Sequence, residues 1–287
     1  MTGGHPQAGP GAATAAPPNG DVAAVVLEHV SFAFDDLVVL RDVSFIVPKG
    51  SMTMLLGASG AGKSIILKLI LGLLRPDAGA IFVNGQRIDR MSEVDLLQLR
   101  SDIGMSFQEN ALFDSLTVGE NVGFRLLDAA HLSATEVETR VAEVLEFVGL
   151  AEYADRMPSE LSGGQRRRVG IARAMASKPS LLLFDDPTTG LDPVIASNVD
   201  DEIVKLRDLE HVTSILVTHQ IRDAFYIATH EAIRAGGAVQ IRDAHGERAR
   251  FLVLHEGRIY AEGTGAELLA AKDPYLQEFL FMTLPPW

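Results

Sequence analysis

In GASGAGKS, Gly57 and Gly62 bracket four small residues, Ala58, Ser59, Gly60 and Ala61, and are followed by Lys63 and Ser64. Glycine lets consecutive backbone N–H groups curl toward one point, forming a concave cradle for an anion. A lysine beside it neutralises phosphate charge, and a serine hydroxyl is a hard ligand for Mg²⁺. The apolar run SMTMLLG reads as a strand entering the loop, and residues 63–74 read as the helix leaving it. That helix would present its N-terminal amides and positive dipole end to the same anion. The pattern is that of a nucleotide-phosphate site, with Lys63 toward the β- and γ-phosphates and Ser64 on Mg²⁺.

Downstream, LLLFDDPTTG ends an apolar strand on two carboxylates, Asp185 and Asp186. Neighbours on a strand point to opposite sides, so the two cannot share one task. A carboxylate at a strand end near such a loop holds the metal's water shell, the role expected of Asp185. The next side chain would face the attacking water, where a base contributes about 10²–10⁴ in rate. Asp186 is the candidate for it. LSGGQRRR repeats the anion-nest chemistry, with the Ser162 hydroxyl, the amides of Gly163 and Gly164, and Gln165 at a helix start. Two such nests in one chain suggest that phosphate is gripped from two sides.

At this point the chain resembles the ATP-binding cassette (ABC) ATPases, over roughly residues 25–270. The resemblance implies ATP and Mg²⁺ as cofactors and a head-to-tail homodimer. In that dimer Ser162, Gly163 and Gly164, with Gln165, meet the γ-phosphate held by the other copy. Gln108 is similar to the Q-loop glutamine that reaches Mg²⁺ and the attacking water. Gly190-Leu191-Asp192 resembles the D-loop at the dimer interface, and His219 the switch histidine that bonds the γ-phosphate. Phe34 matches the aromatic that stacks on adenine, the alternative being a plain strand core residue. The sequence also departs from the family. Asp186 stands where Glu is usual, which withdraws the carboxylate by about 1 Å and implies slow but real turnover. Ile65 replaces a hydroxyl, so only its backbone amide serves the cradle and weaker nucleotide affinity is expected. Residues 231–250 lengthen the link after the switch histidine, as an exposed hairpin or as a docking surface.

The wording of FQENALFDSLTVGENV, together with SELSGGQRRR and TGLDP, is similar to cassettes of MCE-associated lipid transporters, the Mla class. Leu112, Phe113 and Leu116 form an apolar knuckle suited to a permease helix, or else packed within its own subdomain. The implied partners are a Mla-class integral-membrane permease, an MCE-domain substrate-binding protein and a STAS-domain protein. The implied location is peripheral, on the cytoplasmic face of the inner membrane. The alternatives are an importer cassette for another small solute, a slow-hydrolysing regulatory subunit, and a soluble ABC protein acting on DNA or ribosomes.

The elements that must position these residues are legible in outline. The chain has 287 residues, 47% hydrophobic and 22% charged, enough to bury a sizeable core. A net charge of −13 argues against nucleic acid as a partner. Zero cysteines exclude disulfides and thiolate metal sites. No run is long and apolar enough to span a bilayer. Strands alternating with helices imply an α/β fold with a mainly parallel sheet and phosphates at its carboxyl edge. The resemblance makes this a P-loop NTPase (RecA-like) core with an antiparallel β subdomain and an inserted helical subdomain. Residues 1–22 read as a disordered lead-in without signal-peptide character. Residues 23–108 read as core and antiparallel part, 109–178 as the helical signature subdomain, and 179–270 as the core continued. In 231–261 two strands are expected around DAHGER. The tail 271–287, with Leu276, Phe279 and Leu280 at helical spacing, packs on its own domain or reaches the opposite cassette.

Overall fold

The computed structural model describes residues 23–127 and 132–281. The expected lead-in and the final residues of the tail, 282–287, lie outside them. Strands β1 (Ala23–Phe34) and β2 (Leu37–Pro48) pair antiparallel across the Asp35-Asp36 turn. β3 (Met52–Leu56) runs into the glycine loop and α1 (Lys63–Ile70). β4 (Ala78–Val83), β5 (Gln86–Arg87), α2 (Glu93–Ser101) and β6 (Ile103–Ser106) come next. α3 (Val118–Leu127), α4 (Ala134–Phe147) and α5 (Gly163–Met175) pack on one another. β7 (Leu181–Asp185), α6 (Pro193–Glu210), β8 (Thr213–Thr218) and α7 (Ile221–Thr229) return to the sheet. β9 (His230–Ala235), β10 (Ala238–Asp243), β11 (Arg250–His255) and β12 (Arg258–Gly263) precede α8 (Gly265–Ala270) and α9 (Pro274–Phe281).

Among the described residues, a six-stranded sheet has the order β12-β11-β3-β8-β7-β6. Every neighbouring pair in it is parallel except β11 with β12. A separate antiparallel sheet has the order β2-β1-β4-β5. The central strands are buried on both faces, which is why they read as unbroken apolar runs. Their alternate residues feed two cores. Leu182, Phe184, Met54 and Leu216 join the cluster with α5 and α6, whereas Leu183, Leu55 and Val217 join the cluster with α1 and the antiparallel sheet. Asp185 closes β7, and Asp186 follows it outside the strand at φ 44°.

Two expectations are corrected. The helix after the glycine loop ends at Ile70 rather than 74, because Gly72 turns at φ 64° with the Leu96 side chain against its Cα. The stretch 231–261 holds four strands, not two, since backbone pairing of β9 with β10 forms an extra ribbon before β11. That ribbon is the exposed hairpin: most of β10 faces solvent, while Glu231 is buried between Arg242 and Arg248. In the tail, Leu276 and Leu280 are buried in the larger core, with Tyr275 and Phe279 packed against it. The tail therefore packs on its own chain as far as residue 281.

α5 meets the start of α6 at Gly164, where an added Cβ would stand 2.2 Å from Ile195 Cγ2. Gly164→Ala must push the two helices apart, and overpacking of this kind costs about 1–3 kcal/mol. A lower midpoint in urea with an unchanged slope is the expected result.

α6 also buries Asp200, one carboxylate oxygen of which has no hydrogen-bond partner among the described residues. Burial, reinforced by Asp223 and Asp201, pushes its pKa up to about 8. The folded chain thus retains this proton where the unfolded chain has lost it, so the contribution of Asp200 to stability is greatest at low pH and falls as pH rises toward 8. Asp200→Asn cannot ionise. In calorimetry it should melt about 2 °C or more above the parent at pH 9, with the advantage gone at pH 4.

Candidate functional site

Four parallel strands deliver the chemistry to one edge. The glycine loop follows β3, Gln108 follows β6, Asp185 closes β7 and His219 follows β8. The carboxyl edge of a parallel sheet is where such folds bind ligands. Gly57 has no room for a side chain, since a Cβ there would lie 2.7 Å from the Leu254 carbonyl. Gly60 and Gly62 take left-handed φ values of 80° and 103°, and Gly62 caps α1. The Ile65 side chain packs into the core while its N–H turns back to the Gly62 carbonyl at 3.1 Å. Ile65 thus turns no side-chain polar group toward the loop.

Lys63 is buried, and its ammonium donates to the carbonyls of Gly57 and Ala58 at 2.8 and 3.0 Å. Desolvation lowers its pKa, opposed by the charges of Asp186 and Asp185. The Ser64 hydroxyl donates to Asp185 Oδ1 at 2.7 Å. Burial raises the Asp185 pKa, the Ser64 hydrogen bond lowers it, and the neighbouring Asp186 raises it again. One hydroxyl and one carboxylate within bonding distance make the oxygen-only donor set that suits Mg²⁺ with water filling its other positions. The residues present fit both cofactors.

Asp186 takes a different direction. Its φ is 44°, a left-handed turn that Asp tolerates better than most residues. Its Oδ1 accepts from the His219 backbone N–H at 3.2 Å and lies 2.9 Å from His219 Nδ1. The two adjacent aspartates thus go to separate partners, Ser64 and His219. The structure does not join every site residue expected from sequence. Ser162 caps α5 in a capping box with Gln165, its Oγ accepting from Gln165 N–H at 3.2 Å. Asp192 caps α6, accepting from the N–H groups of Val194 and Ile195. Phe34 is 48% exposed at the end of β1, edge-on to Phe32, so it is not a core residue. Gln108 is exposed beyond β6.

Sequence reasoning missed a polar group beside His219. Thr188 Oγ1 donates to Asp223 Oδ2 at 2.5 Å, and Gln220 Nε2 donates to Thr188 Oγ1 at 3.2 Å. The signal was available in PTTG and THQ, polar residues packed against two strand ends. It also missed Arg167, which is buried and donates to the carbonyls of Phe107, Gln108 and Thr189. Its signal was the arginine run itself.

The ABC transporter family profile matches residues 40–189. The chain belongs to the ABC transporter family. As an ATP-binding cassette it is an ATPase that uses ATP and Mg²⁺, on a P-loop NTPase fold. The cassette is 43% identical over 205 residues to the methionine import ATP-binding protein MetN 1 of Rhodopseudomonas palustris. That match takes in 71% of this chain and 54% of the relative, so the chain spans about half of that protein's length. It is 35% identical over 256 residues to the intermembrane phospholipid transport system ATP-binding protein MlaF of Haemophilus influenzae, covering 89% of both. Among solved structures it resembles the dimeric post-hydrolysis cassette MJ0796 bound to ADP and Pi, with TM-score 0.70 and 28% identity. The superposition covers 84% of this chain and 98% of that one.

Proposed function

We propose that the cassette pairs head-to-tail with a second copy around two ATP and drives an inner-membrane permease of the Mla class that moves phospholipid between membranes. The observation that supports the cargo is that the match to MlaF covers 89% of both chains, whereas that to MetN 1 covers 54% of the relative. Lys63 and the loop amides hold phosphate, Ser64 and Asp185 hold Mg²⁺, and Asp186 with Gln108 directs the attacking water. His219 reads the γ-phosphate. Phe34 stacks on the adenine, and Ser162, Gly163, Gly164, Gln165 and Asp192 belong to the interface with the second copy. The Ser162 hydroxyl accepts in its cap, so its own proton stays available to donate to a phosphate held by such a copy.

The permease has a place to dock. A groove of 780 Å³ lies between the sheet edge and α3, lined by Leu97, Met105, Phe107, Phe113 and Phe124. Phe113, from the apolar knuckle, is exposed and packs on Phe124 at 4.6 Å. No helix among the described residues is long and apolar enough to cross a membrane. An MCE-domain protein and a STAS-domain protein complete the proposed complex.

The higher identity to MetN 1 favours a second reading, import of a small solute. Affinity purification of the complex from membranes, with identification of the copurifying chains, decides between them. A Mla-class permease with an MCE-domain protein is the expected result. A solute-binding protein in their place would transfer the cassette to the second reading.

A further inference from the structure

The three arginines that follow LSGGQ go to different carbonyls. Arg166 donates to the Leu161 carbonyl and Arg168 to Val148 at 2.8 Å, both local ties of α5 to nearby chain. Arg167 does something different. One guanidinium nitrogen donates to Phe107 O at 3.1 Å and to Gln108 O, and the other donates to Thr189 O at 3.1 Å. Those carbonyls belong to two segments that leave adjacent strands, β6 and β7. One segment carries Gln108 and the other follows Asp186. We propose that Arg167 is a positioning residue for hydrolysis, its planar fork fixing the Gln108 loop against the Thr189 turn so that Gln108 and Asp186 face the same water.

The inference rests on the hydrolytic roles proposed for Gln108 and Asp186. Its geometric basis is the fork. Guanidinium presents donors in a rigid plane and can bind two strand ends at once, whereas a lysine ammonium is a single point on a flexible stem. Arg173, also from α5, holds the Gln108 loop alone, at the carbonyls of Asn110 and Ala111 at 2.7 Å each, whereas Arg167 reaches both segments. Ser106 Oγ, Asn110 Oδ1, Thr189 Oγ1 and Arg167 Nε are all buried without a hydrogen-bond partner among the described residues. Each lies on one of the segments that Arg167 joins, or on Arg167 itself. Asn110 and Ala111 hold left-handed φ values of 63° and 47°, so the Gln108 loop does not rest in a relaxed conformation of its own. Because Arg167 projects from α5, movement of the helix that begins at Ser162 reaches both segments through one side chain. Its desolvation is partly relieved by the charge of Asp186.

The test compares Arg167→Lys and Arg167→Gln with Arg168→Lys, which alters the arginine run without touching either segment. Steady-state ATPase rates and Mg-ATP affinity by calorimetry are measured on the full chain, with amide hydrogen exchange on the ligand-free protein. Both Arg167 variants should lose about tenfold or more in kcat, since a displacement near 1 Å costs up to about 10². Their Mg-ATP affinity should stay within about twofold of the parent. Exchange should quicken in 107–111 and in 186–191 together, and Arg168→Lys should show neither change. The exchange data stand even where a variant is inactive, and Gln introduces no buried charge that could unfold the joint. A parental kcat in Arg167→Lys, or faster exchange in only one segment, overturns the inference. A parent chain that binds ATP but does not turn it over overturns the hydrolytic reading, and this inference with it.

Discussion

Asp186→Asn is expected to lower kcat by about 10² or more while leaving Mg-ATP binding close to the parent value, as measured by turnover and calorimetry on the purified cassette. The substitution is unusually clean at this position. The asparagine oxygen can still accept from the His219 backbone N–H and from Nδ1, the two contacts that Asp186 Oδ1 makes. The left-handed φ of 44° suits Asn as well as Asp. What changes is the charge and the basicity. Asp186→Glu tests the reach of the base. An added methylene advances the carboxylate by about 1 Å, and kcat should rise about tenfold, less than the full positional gain because the His219 contact must readjust. A Glu variant no faster than the parent, beside an Asn variant no slower, would remove Asp186 from the chemistry.

Much of this site was legible before the structure because its signals are local. The glycines at 57, 60 and 62 announce a tight loop, and the alternation of side chains along LLLFDD separates Asp185 from Asp186 without knowledge of the fold. The loop holds in the structure, but Asp186 lies beyond β7 at φ 44°, so a left-handed turn rather than strand alternation parts it from Asp185. What escaped depends on tertiary approach. α2 buries only Leu96 and Leu99, too sparse a stripe to reveal a helix. β6 is four residues long and contains Gly104, a poor strand residue that is required because a Cβ there would lie 2.2 Å from the Ala174 carbonyl of α5. β10 faces solvent and owes its existence to pairing with β9, the exposed hairpin expected at 231–250. The glycines of LSGGQ read as an anion nest, but the Ile195 contact shows Gly164 also settling how closely α5 and α6 approach. Sequence offers no sign of that second duty, since the partner lies on another helix.

Lys63→Ala carries the second large expectation, a fall of about 10- to 150-fold in affinity for Mg-ATP. The estimate comes from about 1.5–3 kcal/mol for hydrogen bonds to a charged group. The ammonium sits within the loop, held by the carbonyls of Gly57 and Ala58 and drawn by Asp185 and Asp186. It is therefore already desolvated and already ordered before any phosphate arrives. Lowered hydration and fixed position both reduce the cost of binding, so little of the interaction is spent on reorganisation. Ser64→Ala provides the contrast. It removes the hydroxyl bonded to Asp185 but leaves the ammonium, so it should weaken ATP binding in the presence of Mg²⁺ and change binding little when the metal is chelated. Lys63→Ala should weaken both. Titration of the two variants with and without chelator separates phosphate recognition from metal recognition, and equal behaviour of the two would mean that the loop does not divide the tasks between adjacent residues.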